Sequence, residues 1–313
     1  MRKLLSIRAG RRLPAMSLRT AALATAAGLA LSAATFASAG AATVTVTSHF
    51  VWTPTSGNIT GDTTIINNGA TNNRPGDLLF ITPNLTPGGI SPCPCLVEPQ
   101  PVYGVWYDGI QWGVFDEDTS AMGSLFAFNV LVVPKASRSV FVHTATASNT
   151  SGNRTLLNSK LLNGKPNARI LVTQDWNPDG KGGVNNAHQV GVRYYKAAHK
   201  WGIFNEDGSN MTPFAAFNVL VGQAPSNGGS MTVVKATHSN RSGDAVVMSN
   251  RQTNGNPNNV TFATQVFNPG GKGGVADKSS VDVSYGGAKE FLLNFAGPQQ
   301  KVGTAYNVLI FSS

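Results

Sequence analysis

Beyond residue 39 the chain is written as short apolar runs separated by turns, and no stretch sustains the 3.6-residue period of an amphipathic helix. The segment from 140 to 221 shows the pattern clearly. A run from Val140 to Thr146 leads into the turn Asn149-Thr150-Ser151-Gly152. Thr155, Leu156 and Leu157 follow, then a turn at Asn163-Gly164-Lys165-Pro166. Arg169 to Thr173 forms a third run, ending at Asn177-Pro178 and its glycines. Val190 to Tyr194 and Trp201 to Phe204 read as a hairpin, and Phe217 to Val221 closes the unit. Short runs of Val, Ile, Tyr, Phe and Thr between Gly, Pro and Asn turns predict β-strands.

The same order is written three times. The turns at Asn58, Asn149 and Asn240 are 91 residues apart, as are Pro75, Pro166 and Pro257, and Pro87, Pro178 and Pro269. The endings around Asn129, Asn218 and Asn307 are 89 apart. A fixed offset held at so many positions marks internal repeats. The predicted fold is therefore all-β: three tandem antiparallel β-sandwich-like repeats of about 90 residues, six strands each, over 40–135, 136–225 and 226–313. The alternative is one pseudo-threefold β assembly with a shared core. The short polar connections VPKASRS and GQAPSNGGS favour separate beads that still touch.

Comparing the copies separates scaffold from decoration. At the 89-residue spacing Trp112 and Trp201 fall opposite Glu290, and the pairs Glu117-Asp118 and Glu206-Asp207 fall opposite Phe295-Ala296. Gly61, Gly152 and Gly243 recur, as do the three asparagines of the endings. Glycines recurring in turns supply φ > 0. An asparagine between apolar neighbours on a strand, as Asn218 is, is expected to be buried and to tie down a neighbouring loop backbone. Trp106 differs from its counterparts Arg193 and Ser284, so it is expected to face water as a recognition residue.

The first 39 residues stand apart. Arg2, Lys3, Arg8, Arg11, Arg12 and Arg19 precede an alanine-rich apolar run ending Ala37-Ser38-Ala39, the layout of a secretory signal peptide cleaved near Ala39; Arg11-Arg12 raises the twin-arginine route as the alternative to Sec, though the LPAM that follows fits it poorly. Of the +9 net charge, six basic residues belong to this leader; 18 Lys and Arg against 15 Asp and Glu remain. The high isoelectric point is thus no sign of nucleic-acid binding, and no apolar stretch after the leader is long enough for a membrane span.

Chemistry is sparse. No H-E-x-x-H, G-x-S-x-G or P-loop pattern is present, and GKGGV at 180–184 and 271–275 reads as a hairpin loop. The five histidines share no repeat position. Asn205 to Asn210 offers oxygens of the kind calcium takes, but it lacks the distal glutamate of an EF-hand and reads first as a turn. No cofactor is expected, with calcium as the alternative. Cys93 and Cys95 leave a strained disulfide, two thiols or a contact with another chain open. The candidate ligand-binding residues are Trp106, Glu117, Asp118, Glu206 and Asp207.

The combination N-P-G-G, V-x-V-x-Y, W-x-[IV]-F-[ND]-x-D and A-[FY]-N-V-L resembles tandem β-repeat modules of uncharacterised secreted bacterial proteins, over about residues 44–313. The resemblance implies exported repeat-built β modules and brings no activity with it. The expectation is a secreted, non-catalytic protein that binds a glycan or cell-surface component through repeated weak sites. The alternatives are a secreted hydrolase with carboxylates in an inter-repeat cleft and a self-assembling surface layer.

Overall fold

The last strand of each repeat, the one carrying A-[FY]-N-V-L, lies at the centre of a three-stranded antiparallel sheet. In a computed structural model, residues 45–90, 101–124, 127–222, 229–286, 289–295 and 300–312 are described. The leader and Cys93 and Cys95 lie outside them.

Repeat 1 consists of β1 (Ser48–Trp52), β2 (Ile59–Thr60), β3 (Thr63–Ile66), β4 (Leu78–Asn84), β5 (Tyr103–Tyr107), β6 (Trp112–Asp116) and β7 (Ala127–Val133). Repeat 2 consists of β8 (Val140–Thr144), β9 (Thr150–Ser151), β10 (Arg154–Leu156), β11 (Ile170–Asp175), β12 (Val190–Tyr195), β13 (Lys200–Asn205) and β14 (Ala216–Val221). Repeat 3 consists of β15 (Gly229–Lys235), β16 (Arg241–Ser242), β17 (Ala245–Met248), β18 (Val260–Gln265), β19 (Val281–Tyr285), β20 (Phe291–Phe295) and β21 (Ala305–Phe311). The fold is all-β, with seven strands per repeat rather than six. The extra strand is the two-residue piece before the glycine turn. Gly152 takes φ 58° there, while Asn149 accepts from Thr146 N at 2.8 Å and donates to Thr144 O at 3.0 Å.

Each repeat folds into an inner sheet (β1-β7-β4, β8-β14-β11, β15-β21-β18) and an outer sheet (β2-β3-β6-β5, β9-β10-β13-β12, β16-β17-β20-β19). The period of two along the central strand sends its side chains to two different cores. In β7, Phe128, Val130 and Val132 enter the core between the inner and outer sheets of repeat 1, with Trp112 and Val114. Leu131 and Val133 enter an axial core shared by all three repeats, with Phe80, Leu171, Leu220, Phe262, Leu309 and Phe311. Each fully buried Leu or Phe contributes about 1.5–3 kcal/mol, so every central strand stabilises two cores at once. That is why its sequence recurs.

Instead of beads on a string, the repeats form a closed ring. Parallel pairing joins β11 to β5 at Asp175 and Val105, β4 to β19 at Asn84 and Val283, and β18 to β12 through Val266 and Val192. The three joints share one hydrogen bond: Trp176 N to Val105 O (2.9 Å), Phe267 N to Val192 O (2.8 Å) and Leu85 N to Val283 O (2.8 Å). The described residues of the three repeats accordingly form one compact unit. No helix among the described residues is long and apolar enough to cross a membrane.

A ring of this kind leaves β4, β11 and β18 with one edge facing the axis, and a buried edge needs partners for its N–H and C=O groups. Side chains supply them. Thr82 accepts from Ala263 N (3.1 Å), Thr173 from Ile81 N (3.1 Å) and Thr264 from Val172 N (3.0 Å). Asn129 donates to Thr261 O (2.8 Å), Asn218 to Leu79 O (3.1 Å) and Asn307 to Ile170 O (3.0 Å). The recurring asparagine thus binds a strand of the neighbouring repeat and not a loop.

Two further readings are corrected. Trp112 and Trp201 match Phe291, not Glu290: Tyr107, Tyr194 and Tyr285 pair across their hairpins with Trp112, Trp201 and Phe291. The three ring pairs have centroid separations of 5.5, 5.5 and 5.3 Å. The number of residues in the hairpin turn differs between copies, so the fixed offset slips by one there. Trp106 is half-buried, because a neighbouring repeat brings Trp176 against it.

Candidate functional site

The joint between β5 and β11 opens a cleft on the outer surface. Pairing of Asp175 with Val105 sets the following Trp176 beside Trp106, and their rings stand at 87° with centroids 6.5 Å apart. Trp106 lies flat across β6 because residue 113 is glycine; a Cβ there would sit 2.5 Å from the indole nitrogen. The cleft has a volume of about 230 Å3 and is lined by Asp62, Thr63, Trp106, Phe115, Trp176 and Asn185. Three of these six residues, Trp106, Phe115 and Trp176, are aromatic. The Trp106 nitrogen is turned onto the sheet with no acceptor among the described residues, so the polar rim comes from Asp62 and Asn185. Asn185 is fixed by donating to Glu117 O at 3.2 Å.

The turn below locks the joint. Asn177 accepts from Tyr107 N and donates to Tyr107 O, both at 2.7 Å. Asn268 does the same to Tyr194, at 2.8 Å each, and Thr86 accepts from Tyr285 N at 2.5 Å.

The four acidic candidates go to separate places. Glu117 is sealed beneath Gly104, where a Cβ would lie 2.3 Å from Oε1, and it accepts from Asn186 N at 2.9 Å. Burial pushes its carboxyl up to about 8, helped by the charges of Asp116 and Asp175. Glu206 is sealed beneath Gly191 in the same way, and burial with Asp277 nearby pushes it to about 9. Its Oε1 takes a 3.2 Å hydrogen bond from the Gln265 amide in the orientation that satisfies both ends of that amide. Neither glutamate lines the aromatic cleft. Asp118 is exposed, and hydrogen bonds from Ser120 hold its carboxyl low. Burial works to raise Asp207, but hydrogen bonds from Ser209 and His188 outweigh it; the His188 contact is 2.8 Å. The Asn205–Asn210 stretch is a turn closed on itself, with Asn205 donating to Ser209 O and Asn210 O. Among the described residues no group of three or more His, Cys, Asp or Glu is placed to hold a metal ion.

A second, narrower cavity of about 60 Å3 lies on the pseudo-threefold axis, lined in threes by Thr82, Thr173 and Thr264 and by Tyr103, Val190 and Val281. Sequence reasoning brought out neither these threonines nor the pairing of Trp176 with Trp106. The threonines recur at the 91-residue offset and are readable from it. Trp176 is 70 residues from Trp106, and only the ring joins them.

No curated protein and no solved structure matches the chain. A family model does, over three overlapping segments, 34–132, 104–221 and 191–310. The second and third segments begin at Gly104 in β5 and Gly191 in β12, so each takes in the outer hairpin of the preceding repeat to which its own fourth strand is joined. The chain belongs to the family described as a domain of unknown function, DUF7452, and carries it in three tandem copies.

Proposed function

We propose that this is an exported, non-catalytic glycan-binding protein whose Trp106–Trp176 cleft holds one sugar ring of a larger polymer. The carrying observation is the pair of indoles at 87° over a cleft rimmed by Asp62 and Asn185. A sugar ring presents C–H groups on its faces and hydroxyls at its edge. An aromatic wall with a few polar groups at the rim complements both. At about 230 Å3 the cleft is smaller than the roughly 300–1,000 Å3 of sites enclosing a drug-sized molecule, which suits a single residue of an extended chain. Export rests on the basic, apolar, small-residue leader. The non-catalytic reading is supported by the two buried glutamates, whose carboxyls do not line the cleft.

The test is a glycan array followed by calorimetric titration of residues 40–313, alongside Trp106→Ala, Trp176→Ala and Gly113→Ala. The last variant lifts the Trp106 indole without shortening any side chain. Binding lost in all three with the melting temperature kept supports the cleft. Binding unchanged in all three sinks it, and release of reducing sugar would replace binding by hydrolysis.

A further inference from the structure

The joint between repeats 2 and 3 carries different residues at the positions that line the first cleft. Asp62, Thr63, Trp106, Phe115, Trp176 and Asn185 correspond to Asn153, Arg154, Arg193, Phe204, Phe267 and Ala276. The two aromatic residues at the base are kept as aromatics: Phe204 and Phe267 meet edge to face at 6.1 Å and 88°. The changes that matter are Thr63 to Arg154 and Trp106 to Arg193, which put two cations where the first cleft has a hydroxyl and an indole.

These guanidiniums are held in place. Tyr195 lies across the sheet over Gly202, where a Cβ would come within 2.8 Å of its ring. Arg154 Cζ sits 4.5 Å from the centre of that ring, and Arg193 Cζ sits 5.3 Å from it and 4.4 Å from the Phe267 ring. Stacking on aromatic faces fixes the planes of the guanidiniums and leaves their N–H edges to bond elsewhere. Among the described residues neither arginine forms an ion pair; Arg193 is exposed and Arg154 half-buried, with its Nε enclosed. Asp207, the exposed acid of this repeat's loop, is already engaged by His188 and Ser209. Repeat 2 carries nine Lys and Arg against four Asp and Glu, whereas repeat 1 carries two against seven.

We infer that the Arg154–Arg193–Tyr195 cluster binds the oxyanion groups, carboxylate or sulfate, of an acidic polysaccharide. Planar, stacked guanidiniums match two-oxygen anions through paired N–H donors. Phosphate polymers are the less suitable polyanion, because their affinity comes from many neutralised charges along a basic track. Residues 40–313 hold 18 basic against 15 acidic residues with no such run. This second site does not depend on the Trp106 cleft.

The experiment titrates residues 40–313 with polygalacturonate, dextran sulfate, neutral dextran and an oligodeoxynucleotide, at low and physiological salt. Binding to a charged polysaccharide is expected, with the polygalacturonate and dextran sulfate arms telling carboxylate from sulfate. It should weaken about tenfold or more in Arg193→Lys and Arg154→Gln and persist in Trp106→Ala. Arg193→Lys keeps the charge of an exposed residue, so it decides the matter even if Arg154→Gln fails to fold. Charged polysaccharides bound no better than neutral dextran, affinity unchanged in Arg193→Lys, or tighter binding of the oligonucleotide would each overturn the site. Loss of neutral-glycan binding in Trp106→Ala alone bears only on the first cleft.

Discussion

Asn84 donates from Nδ2 to Oδ1 of Asn129 at 2.9 Å, both buried on the axis of the ring. The second repeat has Asp175 and Asn218 at these places, in the same register: Thr82 pairs with Asn129 as Thr173 pairs with Asn218. There the acceptor has lost its donor, since Asn218 Oδ1 and Asp175 Oδ1 are both buried without partners among the described residues. Burial pushes the Asp175 carboxyl up to about 7, against hydrogen bonds from Asn218 and Asn177 N. In its protonated form Asp175 has the donor that Asn84 supplies in repeat 1.

Asp175→Asn therefore stabilises the protein in a pH-dependent way. A carboxyl raised from 3.8 to about 7 on folding favours the folded state fully below pH 3.8, and that contribution is lost as pH rises toward 7. The amide keeps its donor at every pH. The melting temperature of the variant should exceed that of the parent by several degrees, about 2–4 °C per kcal/mol, above pH 7, with the gap closing toward pH 4. Scanning calorimetry across this range checks it; a variant less stable at pH 8 would refute the donor role.

Glu206 gives a second pH dependence with the same sign. Its carboxyl rises from 4.5 to about 9 on folding, so stability falls as pH climbs through that window and levels off above it. Glu206→Gln is expected to flatten this slope. A parent and variant whose melting temperatures fall in parallel from pH 5 to 9 would show that the group does not carry the effect.

The threonine ring predicts a cost for removing one acceptor. Thr173→Val keeps the shape and β-propensity of the side chain but leaves Ile81 N without its 3.1 Å partner. A buried unsatisfied N–H costs about 1–3 kcal/mol, or roughly 2–12 °C in a body of this size. Asn218→Ala strands Leu79 O in the same way and should cost a similar amount. Denaturant titration of both variants, with unchanged m-values, is the measurement.

Ring closure predicts cooperativity. Repeat 2 bonds to repeat 1 through Trp176, Asn177, Thr173 and Asn218, and to repeat 3 through Val192, Tyr194, Val172 and Ile170. Expressed alone, residues 136–225 should show no sharp thermal transition, while residues 40–313 unfold in one. A fragment melting cooperatively near the temperature of the whole would show that each repeat is self-sufficient.

The sequence by itself determined what depends on neighbours along the chain. Alternating apolar positions and turn residues specify strands and glycine corners, and the 91-residue offset specifies three copies, because each copy must satisfy the same local geometry. It also made the last strand legible as buried on both faces. The tertiary structure alone decided what lies across that strand. Nothing in A-[FY]-N-V-L says that its asparagine bonds to the next repeat, since an isolated sandwich with the same pattern would satisfy it internally. The candidate sites came from the ring as well: Trp106 meets Trp176, and Arg193 meets Phe267, only because the fourth strand of one repeat pairs with the outer hairpin of the one before. Registers between distant strands are set by packing and by the burial of edge hydrogen bonds, and these act through space rather than along the chain.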